Sequence, residues 1–217
     1  MARNKYPEET VNLIIETAGR LFVEKGYERT SIQDIINNLG GLSKGAIYHH
    51  FKSKEDILAA VTSRMTEQSE ILLRQIRDDK TLTGKDKLRK IFVASLNRPE
   101  QADIFKTAPR LGSNPQLLSL VVKDSVEVSA PEFIWPIIQE GIRDGTISTN
   151  YPKELAEVLM LLGNLWLNPM VFDNTPEETV KKGRCFMDIC MKLGLDIVDE
   201  SVIERLESLT ELYDSNK

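Results

Sequence analysis

Apolar residues recur along this chain mostly at intervals of three and four, and the strict alternation of a half-buried strand is almost absent. Val11, Ile14, Ile15, Ala18, Leu21 and Phe22 mark a first helix, which Gly26 ends. Ile32, Ile35, Ile36 and Leu39 mark a second. Thr30 and Gln33 stand at capping-box spacing before it, so Thr30 is the expected cap. Gly40 and Gly41 stop this helix and allow a reversal. Ser43 then caps a third helix, whose Ile47 and Phe51, four apart, share one face. Ser53 caps a fourth, with Glu55 and Asp56 in its first turn and Ile57, Val61, Met65, Leu72 and Ile76 along its length.

Beyond it, Leu88, Ile91, Phe92 and Ser95 predict another helix. The stretch 115–143 is apolar and helical, with Pro131 and Pro136 expected to break or kink it and Gly145 to end it. Residues 152–167, 176–193 and roughly 199–213 predict three more. Asn168-Pro169 separates the first two, and Thr175-Pro176-Glu177-Glu178 is a helix start. The expectation is an all-α chain of nine or ten helices.

The second and third helices meet across a glycine turn, the build of a helix-turn-helix. With Ile47 turned inward, Gly45, Ala46 and His49 fall on the opposite side, flanked by Tyr48 and His50. Small residues let a backbone approach DNA closely. Tyr48, His49 and His50 bring hydrogen-bond donors, and Lys44, Lys52 and Lys54 bring charge for phosphates. N–H groups at the start of the fourth helix are further phosphate donors.

Over residues 10–58 the chain resembles the DNA-binding domain of the TetR family of bacterial transcriptional regulators. The resemblance is carried by Ala18, Leu21-Phe22, Gly26-Tyr27, Thr30-Ser31, Asp34-Ile35, and Ser43-Lys44-Gly45 through Tyr48, Phe51 and Lys54. One departure is the turn Gly40-Gly41-Leu42, where the family carries one glycine and one apolar residue. The resemblance implies a three-helix DNA-binding head, residues 1–54, on a helical effector-binding and dimerisation body, residues 55–217. It implies DNA contacts from Thr30, Ser31, Ser43, Lys44, Gly45, Ala46, Tyr48, His49, His50 and Lys54. It also implies a homodimer, and a repressor released from double-stranded operator DNA by a small molecule.

Charge fits that division. The net charge of −5 argues against a chain that binds nucleic acid over its whole surface. Residues 1–54 hold 8 Lys+Arg against 6 Asp+Glu, and residues 55–217 hold 20 against 27. No apolar run reaches about 18 residues, so no membrane span is expected. The start MARNKYPEE lacks an apolar signal core. Cys185 and Cys190, five apart, read as reduced thiols rather than a metal or disulfide pair. A cytoplasmic protein without cofactor or metal is expected.

In the body, the segment from Leu155 to Trp166 is apolar on more than one side and needs several packing partners. One can be a second subunit, through residues 152–193; a central helix of a monomer is the alternative. Phe105, Phe133, Trp135, Met160, Trp166 and Met170 could line an apolar pocket. Of these, Phe105, Trp135, Met160 and Trp166 are the candidate effector contacts, with Asn164 and Arg110 as polar anchors. Plain core is the competing reading of each. Two other function classes stand beside the regulator: a helical adaptor, and a small helical enzyme without a DNA-binding role. Against the enzyme, both histidines lie in the DNA helix, and no phosphate loop, nucleophile elbow or metal-spaced carboxylate cluster is present.

Overall fold

A computed structural model describes residues 7–41, 44–98, 101–102, 105, 111–113 and 115–215. Among them no strand occurs. The chain divides into two compact units, residues 1–68 and 69–217.

The first unit holds α1 (Pro7–Lys25), α2 (Ile32–Asn37), α3 (Lys44–His50) and the beginning of α4 (Lys54–Asp78). Its core is the stripe read from the sequence: Ile14, Ala18, Leu21 and Phe22 from α1, Ile35 and Leu39, Ile47 and Phe51. Ile57, Leu58 and Val61 of α4 are buried within the same unit. Burying each large aliphatic contributes roughly 1.5–3 kcal/mol before entropy is counted. Tyr27 closes the end of this core, its ring edge-on to Phe22 with centroids 5.2 Å apart.

In the second unit follow α5 (Gly84–Leu96), α6 (Pro115–Lys123), α7 (Trp135–Asp144), α8 (Pro152–Leu161), the one-turn α9 (Pro169–Phe172), α10 (Pro176–Lys192) and α11 (Glu200–Asp214). Phe133, Ile134, Ile137 and Ile138 fill its main core with Leu88, Leu159, Phe186 and Val202. A smaller cluster gathers Phe105, Met170, Leu209 and Tyr213.

Pro131, expected to break or kink the helix, does not break it. The chain stays helical but widens to π winding over Asp124–Ile134, then returns to α at Trp135, with Pro136 in the first turn of α7. A proline ring collides with the carbonyl four residues back in α winding, and a wider turn removes that collision. A second π turn, Leu162–Trp166, continues α8. Two glycine stops and one helix start are as read. Gly26 and Gly145 turn with φ of 82° and 80°. Thr175 caps α10 in a capping box with Glu178.

At one crossing, α5 and α7 touch backbone to backbone. A Cβ on Gly84 would lie 2.3 Å from Gly141 N. Beside it, Lys87 is fully buried, its ammonium donating to Glu140 Oε2 at 2.6 Å and Arg77 O at 2.8 Å.

Candidate nucleic-acid interface

The turn after α1 decides which hydroxyl caps α2. Ser31, not Thr30, is the cap: its Oγ accepts from Asp34 N at 3.0 Å, and Asp34 Oδ2 accepts from Ser31 N at 2.8 Å. Thr30 is 0% exposed, and its hydroxyl donates to Gly26 O at 2.9 Å and Leu21 O at 3.2 Å. Thr30 therefore serves the interior of the head and offers nothing to a ligand, which corrects its placement among the DNA contacts. The Ser31 and Lys25 partners hold the Asp34 carboxyl at about 2, below its ordinary range. Lys25 reaches Asp34 at 3.3 Å, and Arg20 reaches Asn38 Oδ1 at 3.3 Å, so α2 is tied to α1 at both of its ends.

Ile47 is fully buried and fixes the rotation of α3 about its own axis. That rotation exposes Lys44, Gly45, Tyr48 and His49 and leaves Ala46 and His50 half-buried. Tyr48 is 44% exposed, with the Lys44 ammonium 5.7 Å from its ring centre. The His49 and His50 rings meet edge to face at 4.9 Å. Ser43 and Leu42 lie outside the described residues. Gly40 and Gly41, at φ of 60° and 112°, make the reversal before α3 in conformations that L side chains rarely adopt.

Lys54 is placed differently from the other basic candidates. Its ammonium donates to Tyr27 O at 3.0 Å and sits 4.1 Å from the centre of the Tyr27 ring. It thus links the α1–α2 turn to the first residue of α4. Burial, and then the neighbouring Glu55 carboxylate, raise the Tyr27 phenol above its usual range. Nothing in the sequence marked Tyr27 as the platform for Lys54, because 27 residues separate them. Ser53 caps α4 as expected, accepting from Asp56 N at 3.0 Å.

What results is a short helix anchored by one buried isoleucine, with a small, aromatic and basic outer face. Such a face suits close approach to a duplex, with cations for phosphate and ring donors for base edges.

The candidate effector residues are less tightly gathered. Trp135, Met160 and Trp166 pack half-buried against the main core of the second unit, whereas Phe105 lies in the smaller cluster. Asn164 is exposed and donates to Ser125 Oγ at 3.4 Å. Arg110 lies outside the described residues. Among the described residues no group of three or more His, Cys, Asp or Glu is placed to hold a metal ion, and no helix is long and apolar enough to cross a membrane.

Comparison with known proteins bears on both units. The family model described as "Bacterial regulatory proteins, tetR family" matches residues 14–61. The HTH-type transcriptional repressor KstR2 of Mycolicibacterium smegmatis is 32% identical over 150 residues, which are 65% of this chain and 69% of that protein. A TetR-family transcriptional regulator from Agrobacterium tumefaciens shares the fold with a TM-score of 0.57 at 18% identity, over 86% of this chain and 98% of the other. A tetR-family regulator from Shewanella sp. PV-4 does so with a TM-score of 0.55 at 21% identity, over 95% and 97%. At these identities the two structures speak for the fold alone.

Proposed function

The chain belongs to the tetR family of bacterial regulatory proteins, and from that premise we propose that it is a sequence-specific transcriptional repressor that a small molecule releases from its operator. The observation that carries the reading is the anchoring of α3: Ile47 is buried while Lys44, Gly45, Tyr48 and His49 face outward. Lys44 and Tyr48 bind phosphate and position the head. Gly45, Ala46 and His49 lie against base edges. Lys54, held by Tyr27, has donors left for a phosphate beside the start of α4.

The operator is near-palindromic and the protein a homodimer acting in the cytoplasm. Two recognition helices must reach successive major grooves roughly 34–36 Å apart. Residues 152–193 supply the pairing surface. Val158 is 43% exposed, and Leu161, Leu162 and Leu165 stay half-buried. These partly exposed apolar side chains can be covered by a second subunit. The effector contacts are drawn from Trp135, Met160, Asn164 and Trp166, with Phe105 in a separate cluster. Effector binding favours a body conformation in which the two heads no longer match the groove spacing. By linkage, operator DNA weakens effector binding by the same factor.

Selection of bound sequences from random duplex DNA tests the reading. Lys44→Ala should weaken binding to all sequences alike and reduce the salt slope by about one. Gly45→Glu should abolish binding while the second unit stays folded. Intact operator affinity in both variants would show that α3 is not the reader.

A further inference from the structure

The connection between the helical run ending at Trp166 and the start of α10 holds polar groups that the fold leaves incomplete. Asn174 is 5% exposed. Its Oδ1 accepts from Lys182 Nζ at 2.8 Å, which fixes the amide's orientation, since the opposite one would set two donors face to face. Its Nδ2 is buried and has no acceptor. Lys182 is half-buried and donates also to Trp166 O at 3.3 Å. Its ammonium lies 4.7 Å from the centre of the Phe172 ring and 5.7 Å from that of Trp166.

Among the described residues no carboxylate comes within ion-pair distance of Lys182. Glu178, one turn earlier on α10, acts on it only through space, and burial holds the ammonium below the usual lysine range. A cation and an amide N–H have therefore been drawn out of water without an anion between them. Carbonyls and ring faces compensate an ammonium less well than a carboxylate does. Both heteroatoms of the Asn174 amide sit on one carbon, so its nitrogen lies within about 5 Å of the ammonium, a span that one carboxylate can bridge.

We infer that Lys182 and Asn174 form the polar end of a binding site for a small carboxylate with an apolar body. One carboxylate oxygen accepts from Lys182 Nζ and the other from Asn174 Nδ2, and the apolar body lies against the rings of Phe172 and Trp166. Phe172 is 55% exposed and ends the one-turn α9. Asp173 follows it at φ 53°, the one non-glycine positive φ among the described residues. Nδ2 has no access to solvent, so binding requires the side chains around it to move. The site rests on the regulatory reading only for its consequence at DNA, and its binding is tested without DNA.

The experiment uses full-length protein carrying Trp135→Phe, which leaves Trp166 as its one tryptophan, and repeats each titration by calorimetry on the unsubstituted chain, because Trp135 is itself among the proposed effector contacts. Acetate, butanoate, octanoate and benzoate are titrated at constant ionic strength, with benzamide as the neutral counterpart of benzoate. Trp166 fluorescence should change saturably with at least one carboxylate, and benzamide should bind about tenfold or more weakly than benzoate. Lys182→Met should lose about tenfold or more in affinity. Asn174→Asp supplies the missing carboxylate from within at unchanged shape. It should abolish binding while raising the melting temperature, which separates a lost site from a lost fold. The inference is overturned if no carboxylate saturates below about 50 mM, if benzamide binds as well as benzoate, or if Asn174→Asp binds like the parent. Carboxylate binding that leaves duplex affinity unchanged would keep the site and remove its link to regulation.

Discussion

Replacing Thr30 by valine keeps volume and β-branching and removes one hydroxyl from the interior of the head. That hydroxyl has one hydrogen and two carbonyls in reach, Gly26 O at 2.9 Å and Leu21 O at 3.2 Å. Only one full bond can be made at a time, and the shorter contact carries most of it. Net loss of a hydrogen bond costs about 0.5–1.5 kcal/mol, and a carbonyl left short of a partner raises this towards 3. No cavity opens, so no packing term is added. The expected loss is about 1–2 kcal/mol, a factor of roughly 5–30 in the opening equilibrium. Both tryptophans lie beyond the first unit, so fluorescence is a poor probe of the head. Hydrogen exchange read by mass spectrometry suits it better: peptides spanning residues 14–39 should exchange faster by that factor, and those from α10 and α11 should not change. Under conditions where the variant head is still folded, duplex affinity should stay within about twofold, because a fully buried hydroxyl touches no DNA. Unchanged exchange together with a large loss of duplex affinity would refute the reasoning and return Thr30 to the interface.

Ser31→Ala should let the Asp34 carboxyl rise from about 2 towards its ordinary 3.8, visible in an NMR titration of its side chain. A carboxyl whose pKa is depressed on folding stabilises above its unfolded value, so this contribution is present above about pH 4 and is lost as pH falls through 2. Gly84→Ala should destabilise the second unit by about 3 kcal/mol or more, because the new methyl meets backbone and not a movable side chain. A melting temperature equal to the parent's would contradict that. Leu162→Arg should give monomers or an unfolded body, since an unpaired charge in a packed interface is strongly destabilising. Sedimentation reads the first result and circular dichroism the second, and a folded dimer would exclude Leu162 from the pairing surface. Cys190, whose thiol burial pushes up to about 12, should resist alkylation at pH 8 until the body unfolds, whereas exposed Cys185 should react at once.

The faces of α1 and α3 were legible because most of the apolar residues of each lie on one side, with Leu13 of α1 an exposed exception. Placing Ile47 inward left Gly45 and His49 outward with no freedom to choose. The cap of α2 was not. Thr30 and Ser31 are adjacent hydroxyls, each with a capping partner three residues on, Gln33 and Asp34. What decides between them is α1, whose end presents the Leu21 and Gly26 carbonyls to Thr30, and local spacing is blind to that. Pro131 was read by its usual effect on α winding, but the chain had a second winding available. The Lys182 site was missed for a related reason. A lysine on a charged amphipathic helix reads as solvated, and its partners Trp166 and Asn174 lie 16 and 8 residues upstream, across a loop and a one-turn helix.

The contact of Gly84 with Gly141 also limits how the second unit can move. Helices that meet through side chains can slide, because rotamers exchange one set of notches for another. Two backbones in contact have no such notches. Sliding either helix by one residue brings the Cβ of Lys85 or Ile142 against a peptide, and Lys87 would drag its buried charge away from Glu140. The α5–α7 crossing is therefore a pivot rather than a sliding joint. Any rearrangement within this unit must turn about that point, with its larger displacements in elements away from it.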